Sequence, residues 1–489
     1  MIAGPGGVQM TIHADFVKIL KSECPDAFSD SLMPQQSPDT VFIDGQVKLM
    51  KADDVKTWTV FLNVMFFKTI ERCFKQGARV VVLGFDDYTY VPTSKTMTQV
   101  KRNKQVPTLR FDEGDHLPAF MPEDWSSAMR NRTFKVKVIH KIMLETRAWF
   151  LDKLRQDPVW RARTLVLDFQ RRPQVLFAGA PTAGPGAADD LGGARGGAEL
   201  DASLPPPDSP VWKGRGECDI KAFFWMRFSR RLLVVSTDGD YIPLSMLQML
   251  QDQRAQATAA SPAPCEIFLF RMRTKSASDE APSAKRQCTA HGAAARGTPG
   301  AVRKQSRQYE FLNVGKLMAC VDRLLPSRAQ HPVEQFCTMV ALSGCDFALN
   351  LPRLGPKTIW KLRHRLANLN LSQPAQLLCA MSILYWDTFV MRNTMPAGVV
   401  NTTSYFEKLE EGDVKQHYAA IMHRIKSSKS LSPRIASALW DTDRAHAHAL
   451  NIEWTLAYWN LLQGFPDPHS KNYGYLRDAK GRTHFAFCA

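Results

Sequence analysis

The chain has 489 residues, enough for one large domain with extensions or for two or three modules. Its hydrophobic fraction of 45% and aromatic fraction of 10% allow a sizeable core, and its longest strongly apolar stretches, such as 61–67, are too short to cross a bilayer. With 63 Lys and Arg against 47 Asp and Glu, the net charge of +16 favours a polyanionic partner, nucleic acid before membrane.

The 10 cysteines stand singly, from Cys24 to Cys488, with no CxxC pair, which argues against a zinc site. No stretch reads as a signal peptide, so reduced thiols in an intracellular setting, nuclear or cytosolic, are expected.

Phe16, Ile19 and Leu20 recur at helical spacing and predict an amphipathic helix near the start. VFID at 41–44 reads as a short buried strand, 57–75 as a helix with an apolar face, and RVVVLGF at 79–85 as a second strand. TLVLDF at 164–169, RLLVVST at 231–237 and EIFLF at 266–270 predict three more. Helical patterns lie between several of them. This alternation predicts an α/β fold with a mostly parallel central sheet flanked by helices.

Two segments interrupt it. Residues 178–210 are dominated by Ala, Gly, Pro and Asp, and 271–308 lack Phe, Trp and Tyr. Neither can bury enough apolar surface to offset its ordering entropy, so both read as disordered insertions into one domain. After residue 372 the pattern is helical again, with WTLAYWNLL at 454–462, and a Pro/Gly/Tyr-rich tail follows.

Acidic residues recur where the strands end. Asp44 ends VFID, Asp86 and Asp87 follow VVVLGF, and Asp238 and Asp240 follow LLVVST. Glu217 and Asp219 open an expected helix in GECD, and Asp346 sits in SGCDF after an apolar run. Ligands of open α/β sheets bind beyond the carboxyl ends of the strands, so loops from separate strands can bring these acids together. Singly, each is as well explained as a turn former. Together they form an all-oxygen set suited to Mg²⁺ or Mn²⁺. Two such ions about 3.5–4 Å apart can activate a water and stabilise the leaving oxygen in phosphodiester cleavage.

In order and spacing this set resembles the flap endonuclease/XPG family of structure-specific 5′ nucleases. The family's Gly-Ile/Val start and its helix ending near Pro-x-Ala-Phe look like Gly7-Val8 and PDAF at 25–28. Its first two aspartates match Asp44 and Asp86, and its Glu-Ala-Glu/Asp helix start matches Glu217-Cys218-Asp219. Its Asp-x-Asp matches Asp238 and Asp240, and its Gly-Ser-Asp-Tyr matches Gly344-Cys345-Asp346-Phe347. LPRLGPKTIWKL at 351–362 looks like the family's helix–three-turn–helix, whose loop approaches duplex phosphates and holds a K⁺ ion. The resemblance implies a PIN-like 5′-nuclease core over 1–372, with a helical arch within 87–150, a helix–three-turn–helix over 333–372 and a helical extension and tail over 373–489.

It also implies roles for the residues. Asp44, Asp86, Glu217, Asp219, Asp238, Asp240 and Asp346 would hold two Mg²⁺, or Mn²⁺ in their place. Lys95 and Arg102, two helical turns apart, would engage the scissile phosphate from the arch. Gly355, Lys357, Lys361 and Arg363 would grip the duplex backbone, and Arg130 and Lys135 would line a strand path. The expected partner is DNA with 5′ flaps, nicks or ends, cut by a monomer with no sliding-clamp box. The departures are Arg353 where the family has Gly, Asp87 where its Phe-Asp-Gly turn has Gly, and the two insertions. The arch region, with FDEGDHLPAFMPEDW at 111–125, and the two insertions look like the distant relatives found in large DNA viruses, which implies the nucleus or a viral replication site. Two other readings keep the fold: an RNA-cleaving nuclease of the host-shutoff type, and an inactive DNA-binding scaffold.

Overall fold

Eight strands form one sheet: β1 (Phe28–Ser29), β2 (Thr40–Asp44), β3 (Val80–Gly84), β4 (Thr164–Asp168), β5 (Gln174–Leu176), β6 (Arg231–Val235), β7 (Glu266–Arg273) and β8 (Gln308–Asn313). The computed structural model describes residues 13–49, 55–87, 109–169, 172–178, 195–206, 218–257, 265–273, 308–325, 330–345, 348, 351–389, 411–427, 433–459, 475–477 and 483–485. The strand order is β1-β8-β7-β6-β2-β3-β4-β5. β7, β6, β2, β3 and β4 are the expected apolar runs, and each pairs with its neighbour in parallel. β1, β8 and β5 were not expected, and they add antiparallel margins. The architecture is therefore α/β with a mixed sheet, parallel in its middle, flanked by helices.

The helices are α1 (His13–Glu23), α2 (Gly45–Leu49), α3 (Trp58–Leu62), α4 (Lys68–Lys75), α5 (Trp125–Ala128), α6 (Arg132–Gln156), α7 (Arg195–Ser203), α8 (Cys218–Phe224), α9 (Tyr241–Ala257), α10 (Val314–Leu324), α11 (Pro332–Leu342), α12 (Pro356–Lys361), α13 (Pro374–Phe389), α14 (Glu411–Lys426), α15 (Pro433–Ala438) and α16 (Thr442–Trp459). A π turn at Asn63–Phe67 joins α3 to α4, so the helix expected over 57–75 forms with one wide turn inside it.

Side chains alternate across a strand, and the central strands are covered on both faces, which is why they read as unbroken apolar runs. Val41, Ile43, Val81 and Leu83 face a core shared with Phe61, Trp125 and Phe134. Phe42, Val82, Leu232 and Val234 face a second core. That second core runs from Phe16 through α9 and α11 to Tyr385, Tyr418 and Trp459. The helices after residue 372 thus share the sheet's own core, and the expected boundary there does not divide it.

Three expectations need correction. In the later part of the range 87–150, within which an arch was expected, Phe111, Met121, α5 and α6 pack against the sheet, so this part is not free-standing. Phe111, Met121 and Trp125 are buried, Trp58 Nε1 donates to Pro118 O at 2.8 Å, and Trp125 Nε1 donates to Leu49 O at 2.6 Å. Those aromatic side chains belong to the core because burial of their rings outweighs a free-standing role. Residues 88–108 lie outside the described residues. Second, the insertion expected over 178–210 contains α7, whose Leu200, with the following Leu204, is buried in the core. Two leucines one turn apart supply the apolar contact that composition concealed. Third, Cys24 and Cys320 are joined by a disulfide with a Cα–Cα distance of 5.9 Å, against the expectation of reduced thiols. Their segments pack together although 296 residues separate them in sequence. No helix among the described residues is long and apolar enough to cross a membrane.

Candidate active site at the ends of the parallel strands

Asp44 is the last residue of β2 and is 5% exposed. Its Oδ1 accepts hydrogen bonds from the backbone N–H of Gln46 at 2.9 Å and Val47 at 3.4 Å, so it caps α2. Its Oδ2 accepts from Ser236 Oγ at 2.8 Å and from Tyr241 O–H at 3.3 Å. The next residue must be glycine. A Cβ on Gly45 would lie 2.3 Å from the Phe85 ring that closes the floor of the site.

Asp86 follows β3, and its Oδ1 accepts from the backbone N–H of Cys218 at 2.9 Å. That bond ties the end of β3 to the start of α8, where Asp219 is 9% exposed. Asp238 and Asp240 sit in the turn between β6 and α9. Asp238 N–H donates to Ser236 Oγ at 3.2 Å, and Asp240 N–H donates to Asp238 Oδ1 at 3.1 Å. Asp238 is exposed, whereas Asp240 is buried.

The electrostatics place these groups in one region. Burial raises the pKa of Asp44, and the charge of Asp86 raises it further, against the hydrogen bonds from Ser236 and the α2 backbone. Burial also pushes the Cys218 thiol well up, helped by Asp44, Asp86 and Asp219. The Tyr241 hydroxyl is pushed well up by burial and then by Asp44, with Asp219 and Asp238 contributing. Tyr241 is therefore a neutral donor to Asp44.

Asp44, Asp86, Asp219, Asp238 and Asp240 thus lie where the sequence placed them, at the carboxyl ends of three parallel strands and the start of α8. Glu217, Asp346, Lys95 and Arg102 lie outside the described residues. Among the described residues no group of three His, Cys, Asp or Glu side chains is set to hold a metal ion. The donors themselves are carboxylate oxygens, the chemistry hard divalent cations take, and the burial of Asp44 beside Asp86 favours a compensating positive charge.

One charged pair was not expected. Lys221, 1% exposed, donates to Phe85 O at 2.7 Å and Phe169 O at 2.6 Å and lies 3.7 Å from Asp168 Oδ1. Asp168 Oδ2 accepts from Trp225 Nε1 at 2.9 Å. Asp168, which also ends a strand, therefore anchors α8 to the ends of β3 and β4. The signal was a lysine inside CDIKAFF, where every neighbour is apolar but for Asp219.

The second expected element follows α11. Gly344 adopts φ 100°, ending that helix as a left-handed residue. Arg353 has φ 65°, a conformation that favours glycine, at the position read from the sequence as a departure from glycine. Gly355 then precedes α12, with Pro356 in its first turn. Arg353, Lys357 and Lys361 are exposed. Arg363 is not presented in the same way. Its guanidinium lies 4.5 Å from the centre of the Trp360 ring and donates to Trp360 O at 3.0 Å and Leu324 O at 3.4 Å. Arg130 and Lys135, on either side of the start of α6, are partly buried.

No model of a known protein family and no curated protein matches this chain.

Proposed function

We propose that the chain is a metal-dependent, structure-specific 5′ nuclease that hydrolyses phosphodiester bonds of DNA carrying 5′ flaps, nicks or ends. The observation that supports this reading is the placement of Asp44, Asp86 and Asp238 at the carboxyl ends of adjacent parallel strands, with Asp86 tied to the start of α8 beside Asp219. On this reading the fold is the PIN-like 5′-nuclease form of the α/β class. Asp44, Asp86, Glu217, Asp219, Asp238, Asp240 and Asp346 would hold two Mg²⁺ ions, or Mn²⁺. When bound, the ions supply an activated water and stabilise the leaving oxygen.

The chain's own residues do the rest. Ser236 and Tyr241 orient Asp44 by donating to its outer oxygen. The Cys218 N–H orients Asp86. Lys357 and Lys361, exposed on α12, would hold the duplex backbone, and Lys95 and Arg102, outside the described residues, would engage the scissile phosphate. The left-handed Arg353 supports the duplex-gripping turn and a K⁺ ion there, because the backbone keeps the glycine-like conformation despite the side chain. Duplex DNA is favoured over RNA as substrate because the resembled helix–three-turn–helix grips a backbone of B-form geometry.

The test is cleavage of 5′-labelled flap, nicked, gapped and single-stranded DNA, and of unstructured RNA, with and without Mg²⁺. Mg²⁺-dependent cutting near the flap junction is expected. Efficient cutting of unstructured RNA would move the assignment to an RNA nuclease, and binding without cutting would make the protein a scaffold.

A further inference from the structure

Arg271 lies one residue beyond the part of β7 that pairs with β6, since Val235 stands opposite Phe270. The backbone N–H of Ser236 donates to Phe270 O at 3.2 Å, and Ser236 Oγ in turn holds Asp44. Arg271 therefore borders the floor of the acidic site. Its residue is partly accessible, yet its Nε and Nη1 are buried and have no hydrogen-bond partner among the described residues.

Two carboxylates act on it. Glu310 stands opposite Arg271 in the β7–β8 register, and Asp238 lies in the next loop. Glu310 is already paired with Lys21 at 2.7 Å, with its side chain 7% exposed. Burial lowers the pKa of Arg271, and Glu310 and Asp238 oppose the shift. A guanidinium stays charged even so, and leaving its nitrogens buried without acceptors is unfavourable. If Asp238 serves a divalent cation, its charge is committed there, and Arg271 needs another anion. Nε and Nη1 are shielded, so a phosphodiester oxygen would meet the guanidinium fork first at Nη2, which is not among the buried unpartnered atoms.

We propose that Arg271 is a substrate-binding residue that takes one backbone phosphate of the nucleic acid next to the acidic cluster. This inference rests on the nuclease reading. It adds a contact from the β7 edge of the sheet, separate from the basic residues of α12.

The experiment uses the full chain, Mg²⁺ and a 5′-flap duplex carrying a single neutral methylphosphonate at each position in turn around the cut. Wild-type KM should rise about 10- to 100-fold at the contacted position, in line with losing one charge-assisted hydrogen bond. Arg271→Met should raise KM on unmodified DNA by a similar factor, with kcat changed less. It should show no further loss at that one position. Arg271→Lys, which keeps the charge without the fork, should recover part of the affinity and provides a folded comparison should the Met variant be unstable. Losses that add at every position would overturn the inference. So would a lowered melting temperature with wild-type KM, which would make Arg271 only a cross-strand partner of Glu310. Wild-type protein that cuts no flap DNA would instead overturn the nuclease reading itself.

Discussion

Ser236 Oγ donates a 2.8 Å hydrogen bond to Asp44 Oδ2, linking the residue that follows β6 to the residue that ends β2. The same oxygen accepts from the N–H of Asp238. One hydroxyl thus sets the orientation of one acidic side chain and the backbone of another. Ser236→Ala should leave the fold intact and raise the Mg²⁺ concentration for half-maximal cleavage about 10- to 100-fold, the usual effect of losing a partner that orients a metal ligand. A Mg²⁺ titration of initial rates checks this; an unchanged midpoint would contradict it.

Asp44→Asn should separate activity from stability. Cleavage should fall about 100- to 1,000-fold, the range for losing one electrostatic stabiliser. The metal-free variant should nonetheless melt higher at pH 7. The folded-state pKa of Asp44 is raised, so the folded chain prefers it protonated and is penalised when it is ionised. That penalty is present above the folded pKa and vanishes at lower pH. The gain in melting temperature should therefore shrink as pH falls toward 4, which thermal unfolding in EDTA at several pH values would reveal.

The two exposed lysines of α12 and the neighbouring arginine should behave differently. Lys357→Ala and Lys361→Ala should each weaken duplex binding regardless of base sequence and reduce the salt slope of log K by about 0.9. Arg363→Ala should instead destabilise the fold by about 1–2 kcal/mol, because its guanidinium is committed to the Trp360 ring and two backbone carbonyls. Arg353→Gly, at φ 65°, should stabilise by about 1 kcal/mol. Salt-dependent binding and denaturant unfolding distinguish these outcomes.

His448 should make the helices after residue 372 acid-sensitive. Burial pushes its imidazole down to about 3, and its ring packs 4.7 Å from that of Trp440. The unfolded chain takes up the proton first, so stability is full above about pH 6.5 and falls as pH drops toward 3. A loss of roughly 2 kcal/mol by pH 5 is expected, and His448→Leu should remove most of that slope. Urea unfolding between pH 7 and pH 5 measures both.

The central strands were legible because burial on both faces leaves a continuous apolar signature, and Asp44, Asp86, Asp238 and Asp240 were legible because they interrupt it at strand ends. The margins were not. β1 has only Phe28 and Ser29, and β8, between β1 and β7, carries Glu310, whose charge breaks the apolar run although it is buried and paired with Lys21. The 109–131 stretch fell within the 87–150 range assigned to an arch on the resemblance alone, yet Phe111 and Trp125 are buried in the core. Lys221 and Arg271 escaped notice because nothing local marks a cation that matters through residues far along the chain.

That distance has a consequence for how the protein is made. Asp44 takes two of its hydrogen bonds from residues 192 and 197 positions later, and Asp86 takes one from 132 positions later. A nascent chain can pair β2, β3 and β4 in the order they emerge, but it holds an incompletely oriented Asp44 until Ser236 and Tyr241 have been synthesised. The acidic site thus cannot be completed until β6 and the start of α9 have emerged, and a chain stalled or cut before residue 236 would present these aspartates on a partial sheet without their orienting donors.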